Sequence, residues 1–201
     1  MVQLEKRIID LSYKHKLSHI GSCLTALPVI FDIYSKMNLE CDRFVLSSGH
    51  AGLALYVVLE HFGLADAEKL IHESGTHPDR LAHPAIHCST GSLGQGLPIA
   101  VGMAIADKGK VYCLISDGEV AEGSIYEACN FVRRHKFTNL FIYCNYNGYT
   151  AYDKTMDLLY LPEINYIDNS QHWFIKKYKL EAHYRVMTTK DYEEALRRFT
   201  L

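Results

Sequence analysis

Three short segments hold the residues best suited to chemistry: a glycine-rich loop, an Asp-Gly pair and an asparagine. The loop is Ser89-Thr-Gly-Ser-Leu-Gly-Gln-Gly96, the pair lies within Ser116-Asp-Gly-Glu119, and the asparagine is Asn147. Backbone N–H groups of a loop that opens a helix suit a diphosphate. A carboxylate and an amide oxygen suit a hard cation such as Mg²⁺, which takes further ligands from phosphates. Together the segments predict a magnesium–diphosphate cofactor, although either half alone is a weak motif.

Apolar patterns on either side of these residues predict the elements that position them. Lys110 to Ser116 is expected to be a buried strand, Glu122 to Lys136 a helix, and Asn139 to Asn145 a second buried strand. Strand–helix–strand order indicates a parallel, right-handed βαβ unit. Asp117 and Asn147 then follow strand ends, which is where ligands bind in open α/β sheets.

The rest of the chain extends this pattern. The predicted fold class is α/β, an open and mostly parallel sheet with helices on both faces, in a single domain over residues 1–201. A long loop over residues 74–92 is expected to be functional. The other expected elements are helices at Leu4 to His15, from Thr25, at Ala51 to His61, Leu93 to Asp107 and Asp191 to Phe199, and strands at Phe44 to Leu46 and 181–187.

Composition excludes several classes of protein. The 201 residues are 48% apolar and 22% charged, with a net charge of −2, which gives no reason to expect nucleic-acid or membrane binding. The sequence shows neither a bilayer-spanning stretch nor a signal peptide, so a cytoplasmic protein is expected. The six cysteines lack Cys-x-x-Cys spacing and are interpreted as reduced, mostly buried thiols.

Several separate motifs in the right order give the chain a resemblance to a known family. The chain resembles, over roughly residues 5 to 155, the diphosphate-binding domain of transketolases, which are thiamine diphosphate enzymes. The metal-binding pair of that family is about thirty residues apart, and here 147 − 117 = 30. The motifs are Ser18-His-Ile-Gly21, Asp42-Arg-Phe-Val-Leu-Ser-Ser-Gly-His50, His77-Pro78, Ser89 to Gly96, Ser116 to Glu119, Glu122-Gly-Ser-Ile-Tyr-Glu127 and Asn147.

The resemblance implies a set of cofactor residues on the thiamine diphosphate-binding fold. Mg²⁺, or Ca²⁺, would be held by Asp117, the side-chain oxygen of Asn147 and the backbone carbonyl of Tyr149. The N–H of Gly118 and the side chain of His50 would contact the diphosphate. The backbones of Gly91 and Leu93 would line the middle of the cofactor and its aminopyrimidine.

The resemblance also implies residues for the substrate and for a partner. His19 and His77 would face the substrate as catalytic residues, one accepting a proton and one stabilising oxygen charge. His83, in a second His-Pro pair, is a rival to His77. Glu122 and Glu127 would lie at the subunit interface, and Glu122 is also counted with the cofactor-binding residues.

The expected reaction is transfer of a two-carbon ketol unit from a ketose, free or phosphorylated, to an aldose. Two departures from the family pattern are Ser116 in place of a glycine and Asn145 in place of an acidic residue. The family's pyrimidine-binding domain does not fit in the remaining residues, and the first domain is short at its C-terminus. The resemblance therefore implies a split enzyme in which a separate pyrimidine-domain subunit completes the site, in an assembly with two copies of each half.

Two other interpretations stay open. One is a non-catalytic binding or regulatory subunit. The other is a thiamine-dependent enzyme of another type, similar to deoxyxylulose-phosphate synthase or to an oxo-acid dehydrogenase.

Overall fold

The structure, a computed structural model, describes residues 1–155 and 160–199, and its centre is a four-stranded parallel sheet. The strands lie in chain order, β1-β2-β3-β4, so each joins its neighbour by a crossover connection. This arrangement confirms the predicted α/β class. The strands are β1 Arg43–Leu46, β2 Val111–Ser116, β3 Leu140–Tyr146 and β4 Ile164–Asp168.

Helices cover both faces of the sheet. They are α1 Val2–His15, α2 Ile20–Lys36, α3 Gly52–His61, α4 Ala67–Ser74, α5 Gly96–Ala106, α6 Gly123–His135, α7 Trp173–Tyr178, α8 Glu181–Tyr184 and α9 Thr189–Arg197. Two 3₁₀ turns, Gly49–Ala51 and Asp117–Ala121, follow β1 and β2 at the carboxyl edge.

Side chains that alternate along β2 join two separate hydrophobic cores. Tyr112 and Leu114 pack into the core formed with α1, α2 and α3. Cys113 and Ile115 pack into the core formed with α5 and α6. Every residue of β2 is buried, because both faces of this central strand are covered. The strand is therefore a continuous apolar run in the sequence, as predicted.

The predicted strand over residues 181–187 is wrong. Glu181–Tyr184 forms the short helix α8, which buries Ala182 and His183 against other elements. The strand beside β3 is instead β4, with Cys144 paired to Tyr166. Both segments alternate apolar and polar residues, so the choice between them depends on backbone pairing partners that local sequence does not specify.

Two helices also differ from expectation. Helix α2 begins at Ile20, ahead of the predicted start near Thr25. Helix α4 was not predicted, although its N-cap, Asp66, is the usual signal and accepts a hydrogen bond from the Lys69 N–H at 2.8 Å.

All six cysteines are free thiols, and each but Cys41 is buried, in line with the predicted reduced state. Within residues 1–155 and 160–199, the structure contains no helix with the length and apolar character needed to cross a bilayer.

Candidate active site

The predicted metal ligands Asp117 and Asn147 meet at the carboxyl edge of the sheet, just past β2 and β3. Both are essentially inaccessible to solvent, at 0% and 1% exposure. Asp117 Oδ2 accepts hydrogen bonds from the Gly148 N–H at 2.8 Å and from the Thr155 hydroxyl at 2.6 Å. The Asn147 Oδ1 accepts from the Tyr149 N–H at 3.0 Å. The side chains of the predicted ligands therefore also fix the loop that follows β3.

The second carboxylate oxygen of Asp117, Oδ1, is buried and has no hydrogen-bond partner among the described residues. Burial raises the pKa of Asp117, and the hydrogen bonds from Thr155 and Gly148 act in the opposite direction. An unsatisfied buried carboxylate oxygen is costly unless a charge compensates it. Asp117 thus offers an oxygen that suits a hard cation, beside the amide of Asn147.

The glycine loop reaches the same edge and is fixed by a carboxylate, Glu119, for which the sequence motifs gave no separate role. Glu119, fully buried, accepts from the Ser47 hydroxyl at 2.5 Å and from the N–H groups of Gly94 and Ser116, both at 2.9 Å. Burial raises the pKa of Glu119, and these donors oppose the shift. The Ser116-x-x-Glu119 spacing of a capping box was the available signal.

Gly94 is the point at which the loop needs glycine. Its φ is +79°, and a Cβ there would lie 2.7 Å from the Glu122 Cβ and 2.5 Å from the Ser124 hydroxyl oxygen. The Gly94 carbonyl accepts a hydrogen bond from that hydroxyl at 2.8 Å. The loop is therefore packed directly on the start of α6.

One pocket of about 220 Å³ brings most of the predicted site residues together. It contains the three motif histidines and residues from the glycine loop and from the strand ends. The predicted residues in its lining are His19, His50, His77, Gly91, Leu93, Gly118, Asn147 and Tyr149. Asp117 lies behind Gly118 and Asn147, and Glu122 is exposed at the start of α6, outside this lining.

The histidines of the pocket stand close to one another. The ring centroids of His19 and His50 are 5.1 Å apart, and the His77 ring packs against Gly91. Burial lowers the pKa of His50 to about 3, with His19, His183 and His77 adding to the effect. Burial, and then His77, lowers the pKa of His19. The imidazoles of His19 and His50 are therefore neutral near pH 7 and can accept a proton.

The structure separates His77 from its rival His83. His77 lines the pocket, whereas His83 lies in a different depression with Tyr34 and Leu64 and accepts from the Ala85 N–H at 3.2 Å. The lining also includes residues to which the sequence assigns no role, notably His183 and Tyr184 of α8. No local motif marks them, because they reach the pocket only through the packing of α8 on α2.

Comparisons with known proteins agree with this geometry. A profile of the family described as transketolase, thiamine diphosphate binding domain, matches residues 9–183. One of the two subunits of the apulose-4-phosphate transketolase of Phocaeicola vulgatus is 40% identical over 67% of this chain and 55% of its own length. A 6-deoxy-6-sulfo-D-fructose transketolase subunit of Clostridium sp. (strain MSTE9) is 35% identical over 67% and 58%.

Solved structures show the same fold. The transketolase of Campylobacter jejuni superposes with a TM-score of 0.62 at 24% identity, over 98% of this chain and 35% of that protein. The chain thus spans a little over half the length of the two subunit relatives, and 23% of human transketolase, which is 40% identical over 61% of this chain.

The fold and the pocket define an α/β protein with a ligand site at the carboxyl edge of a parallel sheet. Within that class, the profile match over most of the residues identifies the family. The chain belongs to the family of transketolase thiamine diphosphate binding domains.

Proposed function

We propose that this chain is the diphosphate-binding subunit of a split transketolase, which moves a two-carbon ketol unit from a ketose donor to an aldose acceptor. The carrying observation is the unpartnered Asp117 Oδ1 beside Asn147, at the end of a pocket walled by histidines. The printed names of the two subunit relatives, which describe transketolase subunits, support a two-chain enzyme.

The residues present fit a magnesium–diphosphate group. Asp117, the Asn147 side chain and the Tyr149 carbonyl would hold Mg²⁺, or Ca²⁺ in its place. Gly118 and His50 would contact the diphosphate, and the backbones of Gly91 and Leu93 would line the rest of the cofactor. When bound, thiamine diphosphate supplies a carbon nucleophile and an electron sink for breaking a carbon–carbon bond.

His19 and His77 would perform the proton transfers around that bond. A neutral imidazole accepts the proton of the substrate hydroxyl beside the cleaved bond, and the other donates a hydrogen bond to an oxygen that gains charge. The lowered pKa of His19 keeps it in the accepting form at neutral pH. The imidazoles also exclude water from the deep end of the pocket, which strengthens each of these interactions.

An exposed apolar surface between α5 and α6 supports the proposed partner. Ile105 is 63% exposed and Phe131 is 40% exposed, and Glu127 borders them. The surface is lined by Pro98, Val101, Gly102, Ile105, Ser124, Glu127, Ala128 and Phe131. We assign it to a pyrimidine-domain subunit, with Glu122 and Glu127 at the contact, in an assembly with two copies of each half.

The pocket and the thiols support two further parts of the proposal. A pocket of about 220 Å³ is smaller than the roughly 300–1,000 Å³ usual for a complete ligand site, which fits a cofactor shared between two chains. Buried free cysteines fit a reducing compartment such as the cytoplasm. The relatives' printed names, apulose-4-phosphate and 6-deoxy-6-sulfo-D-fructose, favour a sugar with an anionic group as substrate.

Native mass spectrometry tests the proposal. The full chain is mixed with Mg²⁺, thiamine diphosphate and a candidate pyrimidine-domain chain, and we expect a heteromer that carries cofactor. Asp117→Asn should weaken metal-dependent cofactor binding about 100-fold or more, since even outer contacts of a metal ligand are worth 10–100-fold. Asp32→Asn, an exposed aspartate on α2 paired with Lys36, is the matched control.

Asp117→Asn should not unfold the chain. It removes a buried charge with an unpartnered oxygen while keeping an acceptor for Gly148 and Thr155. Cofactor binding that is unchanged in Asp117→Asn would contradict the assigned metal site. A heteromer that never takes up cofactor would favour the non-catalytic subunit, and uptake without ketol transfer would favour a thiamine enzyme of another type.

A further inference from the structure

Helix α8 is packed against the first turn of α2 at three separate points. The His19 N–H donates to the carbonyl of His183 at 2.7 Å. The Ser22 hydroxyl oxygen lies 2.7 Å from His183 Nδ1. A Cβ at Gly21 would come within 2.7 Å of the Ala182 Cβ, so the two helices approach as closely as a glycine allows.

His19 itself has a backbone conformation that needs outside support. It is the N-cap of α2 and has φ 58° and ψ 25°, in the left-handed region. For a residue other than glycine this conformation costs about 1–2 kcal/mol, and it persists where the surroundings fix it. The hydrogen bond from the His19 N–H to the His183 carbonyl is such a fixed contact, and the direction of the His19 ring follows from it.

His183 is held rigidly enough to provide that support. It is 6% exposed and Ser22 is 2% exposed, so their hydrogen bond is shielded from water. The other nitrogen of His183, Nε2, is buried without a partner among the described residues, as is Nδ1 of His19. Both rings line the same pocket. Burial, followed by His19, lowers the pKa of His183 to about 4, so the ring is neutral near pH 7.

The neighbouring residue ties α8 to the opposite wall of the pocket. The Tyr184 hydroxyl donates to the carbonyl of Ala151, in the loop that follows Asn147. The Tyr184 ring also lies 6.1 Å from the His19 ring, measured between centroids. Helix α8 therefore contacts both the histidine wall and the loop of the proposed metal ligands.

We propose that His183, anchored by Ser22, is a positioning residue for His19: it fixes the His19 backbone and ring in the pocket and keeps water from them. The inference rests on the proposed function only for the step that His19 performs on substrate. The positioning itself is a property of this chain without cofactor, and it can be measured there.

Histidine titration by NMR on the full chain, with isotope-labelled histidine, tests the positioning directly. The His19 signals are identified by their loss in His19→Gln. In Ser22→Ala, the released His183 admits water, and the pKa of His19 should rise towards the ordinary value of about 6.5. The other titratable groups around His19 are His50, His77, His183 and Tyr184, and their signals are followed in the same spectra.

Ser12→Ala is the matched control, because Ser12 is an equally buried helical serine on α1 whose hydroxyl has no partner among the described residues. His183→Asn is the second variant and His172→Asn its control, since His172 also has a buried unpartnered Nε2 but lies outside the pocket lining. Neither control should move the His19 titration.

Kinetics of the reconstituted enzyme give a second readout. Ser22→Ala should lower kcat about tenfold and leave KM for the donor within about twofold, as expected for misplacement of a catalytic group. An unchanged His19 titration in both Ser22→Ala and His183→Asn would overturn the proposal, as would a rise in KM alone. If no cofactor binds in any variant but the His19 titration shifts as expected, the proposed function fails and the positioning stands.

Discussion

His50 lies among other histidines in a buried pocket, and its pKa falls to about 3 through burial and these neighbours. The unfolded chain binds a proton at this residue below about pH 6.5, whereas the folded chain does not until about pH 3. The unfolded state therefore holds more protons between these values, and stability falls as the pH decreases through that window. Above about pH 6.5 both states are neutral and the contribution disappears.

We expect His50 alone to cost the fold about 2 kcal/mol between pH 7.5 and pH 5. In His50→Asn, the difference in unfolding free energy between those two pH values should shrink by that amount. Urea unfolding at both pH values measures it, with the exposed His135→Asn as control. An equal pH dependence in wild type and His50→Asn would show that His50 is protonated in the folded chain.

Among elements, the glycine loop depends on its contact with α6 as much as on its own sequence. Gly94 combines a positive φ with a close approach to Glu122 and Ser124, and its N–H is bound by Glu119. A side chain at this position would disturb the backbone conformation and the packing together.

Gly94→Ala should destabilise the fold by about 1–3 kcal/mol and displace the loop from Glu119. Urea unfolding measures the stability, and cofactor affinity of the assembled enzyme reports the loop position. Gly123→Ala is the matched control on the same contact, because a Cβ there meets no atom within 4 Å and alanine favours a helix. Equal stability of the two variants would mean that the loop adapts to a side chain.

Elements with strong apolar patterns were predictable from the sequence, and those defined by tertiary contacts were not. Strands β2 and β3 are continuous apolar runs, so the placement of Asp117 and Asn147 at one edge followed from topology. Strand β4 and helix α8 have similar alternation, and only their partners, β3 and α2, decide between strand and helix. His183 was missed for the same reason, since its side-chain partner, Ser22, is 161 residues away.

For the whole molecule, the apolar surface between α5 and α6 is the feature that one chain leaves open. Ile105 and Phe131 lie on it, on the side of the sheet that also carries the glycine loop. A charge placed there would remain solvated in the free chain and lose its water in an assembly.

Ile105→Asp should leave the unfolding midpoint of the isolated chain nearly unchanged and weaken heteromer formation at least about tenfold. Sedimentation velocity with the partner chain measures the assembly. Leu81→Asp, at a position that is 86% exposed elsewhere on the surface, is the control. Assembly of Ile105→Asp with wild-type affinity would place the partner on another face.

Glu119 joins three parts of the chain that are distant in sequence: Ser47 after β1, Gly94 in the glycine loop and Ser116 at the end of β2. Each gives its donor to the same carboxylate, so a change at any one of them leaves a buried polar group without its partner. A chimaera that takes only the glycine loop from a relative would inherit an incomplete unit. Recombination within this family is therefore expected to respect residues 47–119 as one exchangeable block.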